Sequence, residues 1–366
     1  MKRLLCIVSC MDAGGAETFL MKIYRSLDHE KYQMDFCVST KKKGIYDEEI
    51  KKLGGKIYHI PMKSRHPFKS FNAIKKITND NNYNYVLRTS QQSLATLDLL
   101  AAKIGGAKKI IYRSSNAGLT GGFMSKLINK IFFIFPRIIP NVKIAPSTEA
   151  AEYVFGRNSV KKGKVIILPN GLDYDKFRFN SKIRNKIRKE LNISSKTILY
   201  GHIGRFNIQK NHVFLLDVFK KIHDKNSDSK LLLIGNGELE ATIKSKINDL
   251  NIKNSIIMLN VRNNVNEYLM AMDLMIFPSL FEGMPNVIIE AQATGLKCIV
   301  SDTITKEANI TGSVDYVSLN SKADNWAKKA LSVPKNKRYN TYTSFEKNGY
   351  LIADVTKKFI KIIYEK

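Results

Sequence analysis

Two glutamates, Glu282 and Glu290, stand eight positions apart inside residues 277–302, which read F-P-S-L-F-E-G-M-P-N-V-I-I-E-A-Q-A-T-G-L-K-C-I-V-S-D. A loop carboxylate such as Glu282 can accept hydrogen bonds from sugar hydroxyls. Asn286 and Glu290 are four apart and share one face of a helix. Gly283 lets backbone come close to a ligand, and a helix start offers free N–H groups to an anion. Upstream, Arg205 and Lys210 lie five apart just beyond an apolar run. Arginine gives a fork of donors and lysine a point charge, a combination suited to a diphosphate. Each set also has a plain reading: a surface and a helix glutamate, and two surface cations in a basic chain.

The elements that must position these residues follow from the pattern around them. Residues 274–277 form a short apolar strand, 279–285 a loop, 286–293 a helix that Gly295 stops, and 297–301 the next strand. That is a βαβ unit with its polar loop at the carboxyl end of a strand, where open α/β sheets bind ligands. A strand from Thr197 ends at Gly204, just before Arg205 and Lys210, and a helix runs over 213–223. Residues 230–234 and 256–259 are further strands, the first followed by the turn G-N-G-E. The first half alternates in the same way. Strands are expected at 4–9, 34–39, 56–60, 85–88, 109–112, 143–146 and 165–168, with helices at 18–27, 46–53, 69–79 and 93–104. Gly14-Gly15 sits at the first strand-to-helix turn, where a backbone can approach a phosphate or sugar, or simply turn tightly. The stretch 176–191 is highly basic and is expected to be a solvated helix.

A chain of 366 residues exceeds one ordinary core, so two domains are expected. No run of about 18 apolar residues occurs, so no membrane span is expected. The N-terminal K-R-L-L-C-I-V-S-C is too short for a signal peptide and reads as a buried strand. Cys6, Cys10, Cys37 and Cys298 lie in or beside apolar runs without a C-x-x-C pair, which suits reduced core thiols in a cytoplasm. The net charge of +28 leans to the first half and favours anionic partners: nucleic acid, an acidic membrane or phosphorylated substrates.

Taken together, F-E-G-x-P-x-V-x-x-E-A with its Glu-x7-Glu spacing, G-R-x-x-x-Q-K-N, P-N-G-L-D-x-x-x-F and G-G-x-E resemble the retaining glycosyltransferases of family 4. The resemblance covers nearly the whole chain. It implies the GT-B architecture, two Rossmann-like α/β domains facing across a cleft. Residues 1–170 would be the acceptor domain and 171–349 the nucleotide-sugar domain, with the last helix, within 350–366, packing back on the first. It implies a hexosyltransferase using a nucleotide-sugar, a UDP-sugar, with no cofactor and no metal. Arg205 and Lys210 would neutralise the leaving diphosphate. Glu282 and the segment Gly283, Met284, Pro285, Asn286 and Val287 would hold the sugar. Glu290 would hold the ribose, Val261 and Arg262 the base, and Gly14 and Gly15 would reach the donor from the opposite domain. The setting implied is bacterial exopolysaccharide or capsule assembly at the cytoplasmic face of the plasma membrane, on a glycan or polyprenyl-diphosphate-linked acceptor. Where relatives often carry H-x-H or H-S-H-N, this chain has Arg88 in R-T-S and Arg113 in R-S-S-N, so no acceptor-side histidine is assigned.

Residues 99–148 contain no Asp or Glu but eight Lys or Arg, and within them 123–139 mixes Phe132, Phe133 and Phe135 with Lys126 and Lys130. That is the look of an interfacial amphipathic helix on an anionic membrane, or of an ordinary packed helix with a basic face. Asp173-Tyr174-Asp175 spells D-x-D, a metal motif of another glycosyltransferase fold, but it follows a P-N-G turn at a domain junction and is set aside. A sugar-nucleotide epimerase or a phosphorylase of the same architecture is the alternative. A nucleic-acid-binding role is not expected, because no aromatic-basic platform accompanies the charge.

Overall fold

The computed structural model describes residues 1–12, 14–115, 123–334 and 338–365, with the side chains of 123–126 left aside. The chain divides into two compact units: Met1–Leu172 with Gly349–Lys366, and Asp173–Asn348.

The first unit is a seven-stranded parallel sheet: β1 (Lys2–Val8), β2 (Tyr32–Val38), β3 (Ile57–His59), β4 (Tyr85–Thr89), β5 (Lys109–Arg113), β6 (Val142–Ala145) and β7 (Ile166–Ile167), in the order β3-β2-β1-β4-β5-β6-β7. Alternation along β1 shows why both faces are covered. Leu4, Cys6 and Val8 pack under the helices Gly15–Arg25 and Ile352–Tyr364, while Leu5 and Ile7 face the opposite cluster with Leu99 and Phe155. Strands buried on both faces read as continuous apolar runs, which is how K-R-L-L-C-I-V presents itself. The Ile352–Tyr364 helix belongs here through Val355, Phe359 and Ile363, with Phe359 edge-on to Phe19 at 6.2 Å.

The second unit is a six-stranded parallel sheet: β8 (Ile198–Ile203), β9 (Ser229–Ile234), β10 (Ile256–Leu259), β11 (Leu274–Phe277), β12 (Cys298–Ser301) and β13 (Val314–Val317), in the order β10-β9-β8-β11-β12-β13. Counted within the unit this is 3-2-1-4-5-6, the doubly wound order whose ligand crevice opens where the winding reverses. Here the reversal lies between β8 and β11. Gly201 on β8 leaves room for the Met272 side chain there, because a Cβ would stand 2.1 Å from Met272 Sδ.

Two expectations are corrected. The basic stretch 176–191 is not one solvated helix. It breaks into Tyr174–Phe177 and Ser181–Glu190, and the second buries Ile187 and Arg188. Arg184 and Arg188 turn inward to Asp273, at 2.5 and 3.0 Å. They also donate to Met270, Ala271 and Met272 carbonyls at the end of the Val265–Ala271 helix, and Arg338 donates to Leu269, Met270 and Met272. Three guanidiniums thus satisfy the carbonyls that a helix end leaves open, just where the chain enters β11. The stretch 123–139 is likewise broken, into Phe123–Ile131 and Phe135–Ile138. Phe132 and Phe135 are half-buried, ring centroids 5.2 Å apart, while Ile131, Phe133, Ile134 and Ile138 are exposed. Lys126 lies outside the described side chains. Among the described residues no helix is long and apolar enough to cross a membrane.

Candidate active site

The reversal point of the second sheet brings two loops together. After β8 the chain passes Gly204 and forms a single 3-10 turn, Ile208–Lys210, whose start Asn207 caps by accepting from the Lys210 N–H at 3.2 Å. After β11 it runs through Pro278 to Glu282. Backbone and side-chain bonds stitch the loops: Leu280 N–H donates to Gln209 O at 2.8 Å, Gln209 Nε2 to Phe281 O at 2.9 Å, and Asn211 Nδ2 to Pro278 O at 3.2 Å. From the other side Ser301 and Thr303 hydroxyls both donate to Ser279 O, at 2.5 and 3.0 Å. The loop carrying Glu282 is therefore fixed on both flanks before any ligand arrives.

Lys210 Nζ meets Glu282 Oε1 at 2.6 Å, with the two side chains only 16% and 9% exposed. The ammonium also lies 4.6 Å from the Phe277 ring centroid. Its stem crosses Gly204, where an added Cβ would come within 3.1 Å of Lys210 Cε, so a side chain at 204 would displace the lysine. Behind Phe277 lie two histidines. His202 stacks on Phe277 at 5.0 Å and 17°, and His212 meets His202 edge-on at 4.5 Å. Ile276 O accepts from His202 Nδ1 at 3.0 Å; a carbonyl cannot donate, so Nδ1 carries the proton. Burial, and then the neighbouring His212, hold the His202 imidazole well below its usual value. Burial, and then Lys210, pull His212 down to about 4. Both rings are neutral near pH 7, so the charge above Phe277 is that of Lys210. The ammonium and the carboxylate are largely buried and pre-aligned: Lys210 can donate to an anionic oxygen of an arriving ligand, and Glu282 can accept from a hydroxyl.

The other expected residues take their places along the chain as follows. Gly283 and Pro285 are buried, Met284, Asn286 and Val287 half-buried, and the Asn286–Ala293 helix begins immediately beyond, with Glu290 half-buried on it. Arg205 is not gathered in. It is exposed and lies 3.5 Å from Glu238, in the turn after β9. Val261, 59% exposed, and Arg262 follow β10, two strands from β8 on the same edge of the sheet. Gly14 and Gly15 belong to the first unit, at the carboxyl end of β1, where Gly14 precedes the Gly15–Arg25 helix without a side-chain cap. Asp173 caps the Tyr174–Phe177 helix by accepting from Lys176 N–H at 3.4 Å, which gives the first D-x-D carboxylate a local task. Phe277, His202 and His212 were given no role from the sequence, and Gln209 and Asn211 stood only as letters of G-R-x-x-x-Q-K-N. The two histidines lie in G-H-I-G-R and K-N-H, the strings that also carry Arg205 and Lys210.

The family described as Glycosyl transferases group 1 matches residues 183–351. EpsF of Bacillus subtilis, a protein named as a glycosyltransferase, is 30% identical over 330 residues, covering 89% of this chain and 86% of its own. The chain belongs to the group 1 glycosyltransferases. The Escherichia coli enzyme named UDP-Gal:alpha-D-GlcNAc-diphosphoundecaprenol alpha-1,3-galactosyltransferase is 29% identical over 239 residues, 64% of this chain and 62% of that one. Among solved structures, Anabaena Alr3699/HepE in complex with UDP and glucose superposes with a TM-score of 0.72 at 15% identity, over 100% of this chain and 96% of that one. That likeness carries the fold: two parallel-sheet Rossmann-like domains of the GT-B class. This group 1 glycosyltransferase sets the Lys210–Glu282 pair at the reversal point of its second sheet.

Proposed function

We propose that this glycosyltransferase moves a hexosyl group from a UDP-sugar, with retention of anomeric configuration, to a glycan on a polyprenyl-diphosphate carrier during surface polysaccharide assembly. The observation that carries the donor reading is the Lys210–Glu282 pair, 2.6 Å apart and nearly buried at the reversal point of the second sheet. As the bond from the sugar's anomeric carbon to the diphosphate oxygen breaks, negative charge grows on the diphosphate. A preorganised ammonium in a water-poor site stabilises that charge. Glu282 accepts from sugar hydroxyls, Glu290 from the ribose, and Val261 with Arg262 faces the base. Arg205 is a second cation for the diphosphate once it leaves Glu238. Retention rests on the Glu-x7-Glu resemblance, and the nucleotide and carrier on the names of the relatives above. Lys210 and Arg205 supply the positive charge that a metal ion supplies elsewhere, so turnover is expected to persist in chelator. Release of nucleoside diphosphate from a panel of UDP-, GDP- and ADP-hexoses, with and without EDTA, is the test. Turnover of one UDP-hexose in both conditions is expected. Turnover confined to other nucleotides contradicts the donor, and activity lost in EDTA and restored by Mn²⁺ contradicts the metal-free reading.

The acceptor side of the proposal is an anionic membrane surface at the inner face of the plasma membrane, met by the first unit. The exposed Ile131, Phe133, Ile134 and Ile138, the last 66% exposed, stand beside Lys130 and Arg137, whose guanidinium lies 4.7 Å over the Phe133 ring. Cations near such a surface contribute about 1 kcal/mol each and weaken with salt, while the apolar part is a burial effect that salt leaves in place. The protein is expected to sediment with phosphatidylglycerol vesicles and not with neutral ones. Ile131→Glu with Ile138→Glu should abolish this while leaving UDP-sugar hydrolysis unchanged. Equal sedimentation with neutral vesicles removes the electrostatic part of the proposal.

A further inference from the structure

Among its described residues, the first unit contains a buried charge with no counter-ion. Arg113 is the last residue of β5, at the carboxyl edge of the sheet, and its side chain is buried, the residue being 1% exposed. The guanidinium lies 3.7 Å from the Phe19 ring centroid, and Nη2 donates to Asn170 Oδ1 at 2.5 Å. Nε is buried with no acceptor. Among the described residues no carboxylate pairs with it, and the whole stretch 99–148 in which it sits contains none. Asn170 is neutral and Phe19 offers only a ring face, so neither supplies the missing charge. Burial alone pushes the guanidinium down to about 9.

The neighbouring strand deepens the imbalance. Arg88 on β4, one register step before the Thr89–Arg113 pair, reaches across to donate to Ile7 O on β1 at 3.0 Å, which places it at this sheet's own reversal point. It lies 3.0 Å from Asp98, and Lys63 also pairs with that single carboxylate. Glu17 also interacts with Arg88 by charge. It sits in the first turn of the Gly15–Arg25 helix, and burial raises its own pKa. Two adjacent strand ends thus present two arginines to the edge where parallel sheets take ligands, and one of them lacks a counter-ion. A buried charge without a partner is strongly unfavourable, whereas the same charge opposite an oxyanion forms a forked, charge-assisted pair.

We propose that Arg113 receives an oxyanion carried by a substrate, a phosphate or a sugar carboxylate, at the carboxyl edge of β4 and β5. This goes beyond the donor reading, because it concerns a group bound by the first unit. It also explains chemically why arginine stands at this strand end: a fixed fork grips a phosphate or carboxylate in two places, and it stays charged when buried.

The test is binding, so it needs no turnover. Thermal-shift titrations with inorganic phosphate and with glucuronate are run on the full chain carrying Arg205→Ala and Lys210→Ala, which removes the cations assigned to the second unit. Arg113 is either intact or replaced by Met or by Lys. With Arg113 intact, one of the two anions is expected to raise the midpoint by about 3 °C or more at tenfold its Kd. Arg113→Met should lose that response and melt at or above the parent, because the uncompensated charge is gone. Arg113→Lys should keep a weaker response, and it decides the matter if the Met variant does not fold. A response to phosphate alone identifies a phosphate-bearing substrate, and one to glucuronate alone an acidic sugar. No response to either anion with Arg113 intact overturns the proposal. So does an unchanged response in Arg113→Met, which marks Arg113 as a tie to Asn170.

Discussion

Lys210→Ala is expected to lower the rate of sugar transfer by about 10²–10³-fold, or about 2.7–4 kcal/mol of transition-state stabilisation. The lysine is held on three sides, by Glu282 at 2.6 Å, by the Phe277 ring at 4.6 Å and by the bare backbone of Gly204. Such a group is aimed before the reaction and need not reorganise as charge develops. The loss should fall mainly on kcat, because charge on the diphosphate grows as the bond breaks. Some rise in KM should accompany it, since Glu282 would be left as a largely buried carboxylate without its partner. Arg205→Ala should cost less, because Arg205 is exposed and must first leave Glu238. Steady-state kinetics of both variants check this, and near wild-type turnover in Lys210→Ala removes Lys210 from the site.

The second large effect is on stability. Asp273→Ala is expected to destabilise the second unit by about 3–5 kcal/mol, the usual consequence of removing one partner from a buried ion pair. Asp273 receives Arg184 at 2.5 Å and Arg188 at 3.0 Å, and its Oδ2 also accepts from Leu199 N–H at 2.8 Å. Its loss leaves two largely buried guanidiniums facing each other and frees the start of β8. The cost should appear as a fall on the order of 10 °C in the melting midpoint of that unit. Because the same arginines tie the Val265–Ala271 helix end to the entry of β11, the loop bearing Glu282 should loosen too. A calorimetric midpoint within about 1 °C of wild type would show that the clamp is incidental.

How far the sequence reached can be judged at particular residues. The doubly wound pattern was legible because buried parallel strands are continuous apolar runs, and because Gly295 marks where the Asn286–Ala293 helix stops. Glu282 and Lys210 were legible as chemistry but not as a pair. Their contact depends on β8 and β11 being neighbours, a fact of topology that no local spacing carries. The histidines are ten positions apart, and only the return of the chain after β8 brings their rings to 4.5 Å. The basic segment 176–191 misled for a physical reason. Arg184 and Arg188 are four apart and look like a solvated face, but the carboxylate that turns them inward lies 89 and 85 positions away. The break in 123–139 was hidden because Pro136 sits in the first turn of the second short helix, where proline is tolerated and also marks a start.

The central claim is that Lys210, presented by Glu282 at the reversal point of the second sheet, receives the diphosphate of the donor. Calorimetric titration of UDP and of uridine into wild type and Lys210→Ala tests it most directly, because the difference between the two ligands reports the diphosphate alone. Wild type is expected to bind UDP far more tightly than uridine. In Lys210→Ala the UDP affinity should fall by tenfold or more while uridine binding is unchanged. An equal preference for UDP over uridine in both proteins would contradict the account.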